Sequence, residues 1–299
     1  MLHPPRSYVY LDAVARAGSI RKAAEKLHVA STALNRKILE LEAEAGTPLF
    51  ERLPRGVRLT AAGELLVAAV RRGIADLRSA GSQIEQLRGL VRGTVRVGCA
   101  ESVATDYMPQ AIARYQETHP GVQFQLLSGV TGQLVAALLR DDVELVMVHD
   151  PQPSEGLRVL AALPQPLCAM LRPDHPLAAS PSLRLADCAG YPLALGDASF
   201  GSRRLIAAVS AQSRIALKVA LEASTVQALK EFTLHSGAIS FQFEIGTRRE
   251  ARRGELVSIP LRDRAFAGSQ LVLGTRADRV LPIATMSFLE GLTAQLADP

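Results

Sequence analysis

Between Ala23 and Gly63 the chain reads AAEKLHVASTALNRKILELEAEAGTPLFERLPRGVRLTAAG, and this stretch decides the fold of the N-terminal third. Apolar residues recur at helical spacing on both sides of a short break at His28, Val29 and Ala30. Ala23, Ala24 and Leu27 form the inward face of one short helix, predicted over 20–28, with Ser19 as its N-cap. Ser31 opens a longer helix whose inward positions are Leu34, Ile38 and Leu41. Upstream, Tyr8, Leu11, Val14 and Ala15 predict a first helix over 8–17 that Gly18 ends. Two short helices joined by a tight turn make a helix-turn-helix. Its second helix must carry short polar side chains and cations for base edges and phosphates, and Ser31, Thr32, Asn35, Arg36 and Lys37 supply them. An ordinary three-helix bundle with polar residues outside would show the same periodicity.

The longer run through Gly63 narrows the choice. The segments AAEKL, NRKILELEAEAG, PLFER and LTAAG fall in one unbroken register, and together they resemble the N-terminal domain of LysR-type transcriptional regulators. The resemblance implies a winged helix-turn-helix that binds DNA as a dimer, at an operator expected to be an interrupted palindrome. Residues 48–59 read as the wing: Leu49 and Phe50 anchor it, while Arg52, Arg55 and Arg58 face the DNA backbone or minor groove. Ala30, Ser31 and Thr32 depart from the family's usual Ser-Gln-Pro or Ser-Gln-Ser run, and Asn35 stands where Ser is usual. A common base-reading Gln is therefore missing, and the operator sequence cannot be borrowed from better-known relatives.

From Thr60, with Glu64 in the first turns, one long helix is expected to about residue 88, roughly 45 Å at 1.5 Å per residue. Leu66, Val70, Gly73, Leu77, Ala80, Ile84, Leu87 and Val91 recur with alternating steps of four and three, a heptad seam that argues for coiled-coil pairing. Leu66, Val70, Leu77, Ile84 and Leu87 are the expected dimerisation residues; a stripe packed on its own domain would look alike. In the resembled family this linker helix joins two DNA-binding heads.

Charge follows the same division. Of the 34 Lys plus Arg and 29 Asp plus Glu in 299 residues, 15 and 9 lie in residues 1–92, so the first third carries +6 and the remainder −1. Clustered cations on a small module suit phosphate neutralisation. A 48% hydrophobic fraction excludes whole-chain disorder. No apolar run reaches a membrane span, the N-terminus does not read as an export signal, and three scattered cysteines make no disulfide framework or zinc cluster. A cytoplasmic protein with reduced thiols is expected.

Beyond residue 93, short aliphatic runs alternate with helical stretches. Strands are expected at 94–99, 122–127, 145–148, 157–163, 166–171, 193–195, 216–221, 239–243, 256–260 and 271–275, with a closing helix over 282–296. Such alternation predicts βαβ units and a largely parallel sheet. Two α/β subdomains, with the chain crossing near residues 160 and 265, resemble the type 2 periplasmic-binding-protein fold of the LysR effector domain. The expected organisation is α/β: residues 1–60 a winged helix-turn-helix DNA-binding domain, 61–92 a linker and dimerisation helix, 93–299 an effector-binding domain. Its first subdomain takes 93–162 and 266–299 and its second 163–265.

Folds of this kind close around a small ligand at strand C-termini. That nominates Glu101, Ser102 and Val103 after the first strand, Thr131 after the second, and His149. From the second subdomain it nominates Asp197, Ser199, Phe200 and Thr225. Each Ser or Thr taken singly could be a helix cap; four converging on one cleft make a ligand site. Glu101 would disfavour an anionic ligand unless Arg203 or Arg204 compensates.

Enzyme signatures fail. No Lys follows a Gly, GxGxxG is absent, and the run from Gly196 to Gly201 is one residue too long before its Ser for a GxSxG elbow. The six His residues do not pair at metal-ligand spacing. No catalytic set, metal or cofactor is expected. The expected partners are a double-stranded DNA operator, a small-molecule effector, further copies of the chain as dimer or tetramer, and RNA polymerase. The alternative is a cytoplasmic solute-binding protein or enzyme whose basic N-terminal module serves only assembly.

Overall fold

A computed structural model describes residues 3–87 and 91–297. They form two compact units, Met1–Val91 with Val280–Ile283, and Arg92–Arg279 with Ala284–Pro299.

The first unit begins with helices α1 (Arg6–Ala17), α2 (Ile20–Leu27) and α3 (Ser31–Ala45). Gly18, His28 and Gly46 adopt left-handed conformations that end them, and the Ser19 hydroxyl accepts from Lys22 N at the start of α2. A two-stranded antiparallel hairpin comes next, β1 (Phe50–Leu53) and β2 (Gly56–Leu59), and then α4 (Ala61–Gln86). Leu11, Val14, Ala23, Ala24, Leu34, Ile38, Leu49 and Phe50 make one core with Val67, Val70 and Ile74 of α4. Side-chain to backbone bonds fasten the hairpin to the helices. Glu42 Oε1 accepts from Leu49 N and Phe50 N at 2.8 and 3.0 Å, while Thr60 Oγ1 donates to Pro48 O and accepts from Gly63 N. A Cβ at position 63 would lie 2.0 Å from the Leu49 carbonyl oxygen, so only glycine fits there.

Of the expected seam on α4, Val70 is buried and Leu66 half-buried against the core of their own unit, so Val70 packs within its own head. The large apolar side chains left exposed are Leu65, Ile84 and, just past the helix, Leu87, with Leu77 half-buried. Helix α4 ends at Gln86; residue 88, where the sequence placed its end, lies outside the described residues, and Val91 is beyond the helix.

The second unit contains two five-stranded sheets. The first, in the order β4-β3-β5-β12-β6, uses β3 (Gly93–Ala100), β4 (Val122–Gly129), β5 (Leu145–His149), β6 (Leu157–Pro164) and β12 (Gln270–Arg276). Helices α5 (Glu101–Ala104), α6 (Tyr107–Thr118) and α7 (Thr131–Leu139) connect its early strands. The second, in the order β11-β7-β10-β8-β9, uses β7 (Leu167–Leu171), β8 (Leu193–Gly196), β9 (Val219–Ala223), β10 (Ile239–Phe243) and β11 (Val257–Pro260). Its helices are α8 (Leu185–Cys188), α9 (Gly201–Ser213), α10 (Val226–Ser236) and α11 (Arg248–Arg253), and α12 (Ile283–Ala297) closes the chain.

The chain passes between sheets at Gln165 and Pro166, and again over residues 261–269. Each passage delivers one reversed strand. β7 is antiparallel to β10 and β11, and β12 is antiparallel to β5 and β6, so both sheets are mixed. Strands β5, β7, β8 and β10 are buried along their whole length, as strands covered on both faces must be; β7 and β8 read as continuous apolar runs, whereas β10 carries Ser240 and Gln242 between its apolar residues.

Candidate functional site

Two surfaces carry the chemistry. On the first unit, Ser31 and Thr32 lie exposed in the first turn of α3, whose N-cap Ala30 has no capping side chain. The first-turn N–H groups are thus left for an external acceptor such as a phosphate. Arg36 and Lys37 come next on the outer face, the Arg36 side chain 74% exposed. Lys37 Nζ bonds Glu40 at 2.5 Å and Arg36 reaches the same carboxylate at 3.7 Å; the Lys37 bond holds the Glu40 carboxyl below its ordinary value. Arg52 of the hairpin donates from Nη2 to Asn35 Oδ1 at 2.9 Å, tying the wing to α3. Arg55 sits exposed at the hairpin turn. Arg58, 70% exposed, donates twice to Glu51 Oε2 across the hairpin, at 2.6 and 3.1 Å.

On the second unit, the strand C-termini bring several expected residues together. Ser102 Oγ lies 2.9 Å from His149 Nε2, and Thr131 Oγ1 donates to the His149 carbonyl oxygen at 2.8 Å. The His149 ring stacks on Phe243 with centroids 4.1 Å apart, so the end of β5 in the first sheet meets the end of β10 in the second. Burial pushes the imidazole down to about 3, leaving it neutral, and its Nδ1 has no hydrogen-bond partner. Gln242 Nε2 is likewise buried without a partner. A Cβ on Gly246 would stand 2.9 Å from Ser102 Cβ, so the backbone after β10 presses directly on the serine. Val103 is wholly buried.

Glu101 Oε1 accepts from Val226 N at 2.9 Å, at the first turn of α10, where Thr225 caps Ala228 N. Desolvation raises the Glu101 carboxyl, opposed by the Val226 and Gln227 N–H groups and the charge of Lys230. Within the chain, the groups that oppose the desolvation of Glu101 are thus the α10 N-terminus and Lys230. Asp197 and Ser199 stand apart: Asp197 Oδ1 accepts from the Ser199 N–H and hydroxyl, at 2.9 and 2.5 Å, in a self-contained turn at the surface. The Phe200 ring covers Gly196. Phe243, Gly246 and Val226 had no signal in the sequence, because each acts through backbone or ring position, and Gln242 had none because its amide is brought to the site by tertiary packing.

The three thiols, Cys99, Cys168 and Cys188, are buried, and burial pushes them up to about 12, 11 and 12, the range of unreactive thiols. Among the described residues no cluster of metal-ligating side chains occurs, and no helix is long and apolar enough to cross a membrane.

Two family models match the chain. Residues 5–64 match the bacterial regulatory helix-turn-helix protein, lysR family, and residues 88–297 match the LysR substrate binding domain. The RuBisCO operon transcriptional regulator of Acidithiobacillus ferrooxidans is 27% identical over 286 residues, 96% of this chain and 92% of that protein. Among solved structures, a full-length OxyR variant from Pseudomonas aeruginosa covers 99% of this chain and 95% of its own at a TM-score of 0.69 and 18% identity. Full-length CbnR complexed with its target DNA covers 97% and 98%, at a TM-score of 0.62 and 19% identity.

Proposed function

We propose how this protein works from one premise: the chain belongs to the LysR family of transcriptional regulators. Helix α3 enters the major groove with Ser31, Thr32, Asn35 and Arg36 toward base edges, while Lys37, Arg52 and Arg55 contact phosphates. The observation that carries this reading is the Arg52 to Asn35 bond, which brings the wing and the helix together in one surface of cations and short polar groups. Two heads associate through the exposed side of α4 around Leu65, Leu77, Ile84 and Leu87, as dimer or tetramer, in the cytoplasm, and the assembly works on RNA polymerase. The protein is a regulator without catalytic turnover, the reading that its regulator relatives favour over an enzyme with an assembly module.

A small effector binds where Ser102, Thr131 and His149 face Phe243 and Gly246. Glu101 already occupies the α10 N-terminus, so an effector carboxylate must compete with it there. The effector acts through unequal affinity for two assembly states, which is the only way a ligand can shift that equilibrium.

The test uses the full chain and an operator selected from random-sequence DNA. Arg36→Ala should weaken binding and lower the slope of log affinity against log salt. An unchanged gel-shift titration across salt concentrations would sink the α3 assignment. Thermal-shift screening against metabolites addresses the effector, since a ligand at 100 times its dissociation constant adds roughly 2.7 kcal/mol of stability; Ser102→Ala should abolish any such shift.

A further inference from the structure

Away from the Ser102 and His149 cleft, a cavity of about 500 Å³ opens between α6, α11 and α12. Its volume lies in the range of small-molecule sites. Three arginines line it, Arg114 from α6 and Arg248 and Arg252 from α11, together with Tyr107, Gln110 and Gln295. One carboxylate, Asp106, also lines it, but Arg252 Nη2 engages it at 2.6 Å and Gln110 donates to its other oxygen. Arg248 reaches Glu244 only at 3.5 Å, and Arg114 makes no hydrogen bond or ion pair among the described residues. The Tyr107 hydroxyl is buried without a partner, and the charges of Arg248 and Arg114 both act on it. A buried O–H donor beside under-used guanidiniums lacks one thing, an acceptor carrying negative charge.

We propose that this cavity binds a compact multivalent oxyanion, a phosphate group carried by a small molecule, at a site separate from the cleft. The donors come from two helices and include a phenol as well as guanidinium forks, so they approach from several directions. A tetrahedral phosphate offers acceptors in all of them, whereas a carboxylate offers acceptors in one plane. The site also spans both subdomains, since α6 packs with the first and α11 with the second, and the Asp106 to Arg252 pair already joins them. A bound phosphate would hold the two together.

The experiment is calorimetric titration of the full chain with inorganic phosphate at constant ionic strength against chloride. Saturable binding is expected, weakened at least tenfold by Arg114→Gln and by Arg248→Gln, and left unchanged by Ser102→Ala. Tyr107→Phe should weaken it several-fold without lowering the melting temperature in chloride, which separates loss of a ligand contact from loss of fold. Phosphate binding no better than chloride, or equal binding to the Arg114→Gln, Arg248→Gln double variant, would overturn the proposal. No readout involves DNA, so its failure and that of the regulator reading are separable.

Discussion

Ser102 Oγ and His149 Nε2 lie 2.9 Å apart with both residues buried, and they join the ends of two strands of one sheet, Ser102 just after β3 and His149 at the last position of β5. The imidazole is held neutral by burial and stacked on Phe243, so it offers hydrogen-bonding nitrogens rather than charge to whatever enters.

That neutrality makes stability depend on pH. In the folded state His149 titrates at about 3 against 6.5 ordinarily, so below pH 6.5 the unfolded chain takes up a proton that the folded chain refuses. Stability from this group is fully present above pH 6.5 and falls toward pH 3, at up to about 1.4 kcal/mol per pH unit. Denaturant titrations between about pH 7 and pH 5 should show His149→Gln losing less stability than the wild type. Parallel slopes would mean that the imidazole is solvated.

Position 63 should tolerate no side chain. Gly63→Ala forces a Cβ against the Leu49 carbonyl, and backbone must move to relieve it. A loss of about 2 kcal/mol or more in the first unit, with DNA binding lost in parallel, is expected. Gly73→Ala is the contrast: no atom lies within 4 Å of its new Cβ, so helix propensity alone should stabilise α4 by up to about 1 kcal/mol. Equal melting temperatures for the two variants would refute the close approach.

Lys230 Nζ and Glu250 Oε2 form a 2.7 Å pair with both side chains 2% exposed. Glu250 Oε1 also accepts from Arg249 Nε at 2.9 Å, so Glu250→Leu strands the buried Lys230 charge and should cost about 3–5 kcal/mol, while Lys230→Met leaves the carboxylate with one cation and should cost less. The double variant should cost clearly less than either single one. Additive losses in a double-mutant cycle would show that the pair is not coupled.

The exposed apolar residues of α4 separate assembly from folding. Ile84→Glu and Leu87→Glu should dissociate the assembly in sedimentation experiments while leaving the far-ultraviolet spectrum of the head intact. Val70→Glu should instead unfold the head, because Val70 is 3% exposed within its core. An Ile84→Glu variant that stays assembled would place the interface elsewhere.

Much of the N-terminal unit was legible because its determinants are local. The helix stop at Gly18, the caps at Ser19 and Thr60, and the inward rows of Leu34 and Ile38 are all matters of spacing within a few residues. The alternation of strands and helices beyond residue 93 likewise announced α/β architecture. What spacing could not decide was which side of α4 faces its own head. Stripes one residue apart differ by only about 100° around a helix, so Leu65 and Leu66 compete for the same periodic signal. Strand direction was equally hidden, because β7 and β12 owe their reversal to the two passages between sheets, not to composition. The partners of Glu101, His149 and Tyr107 come from segments distant in the chain, and tertiary packing alone chose them. Residue type sets what a side chain can donate or accept; only the fold sets which groups stand within reach and which are left buried without a partner.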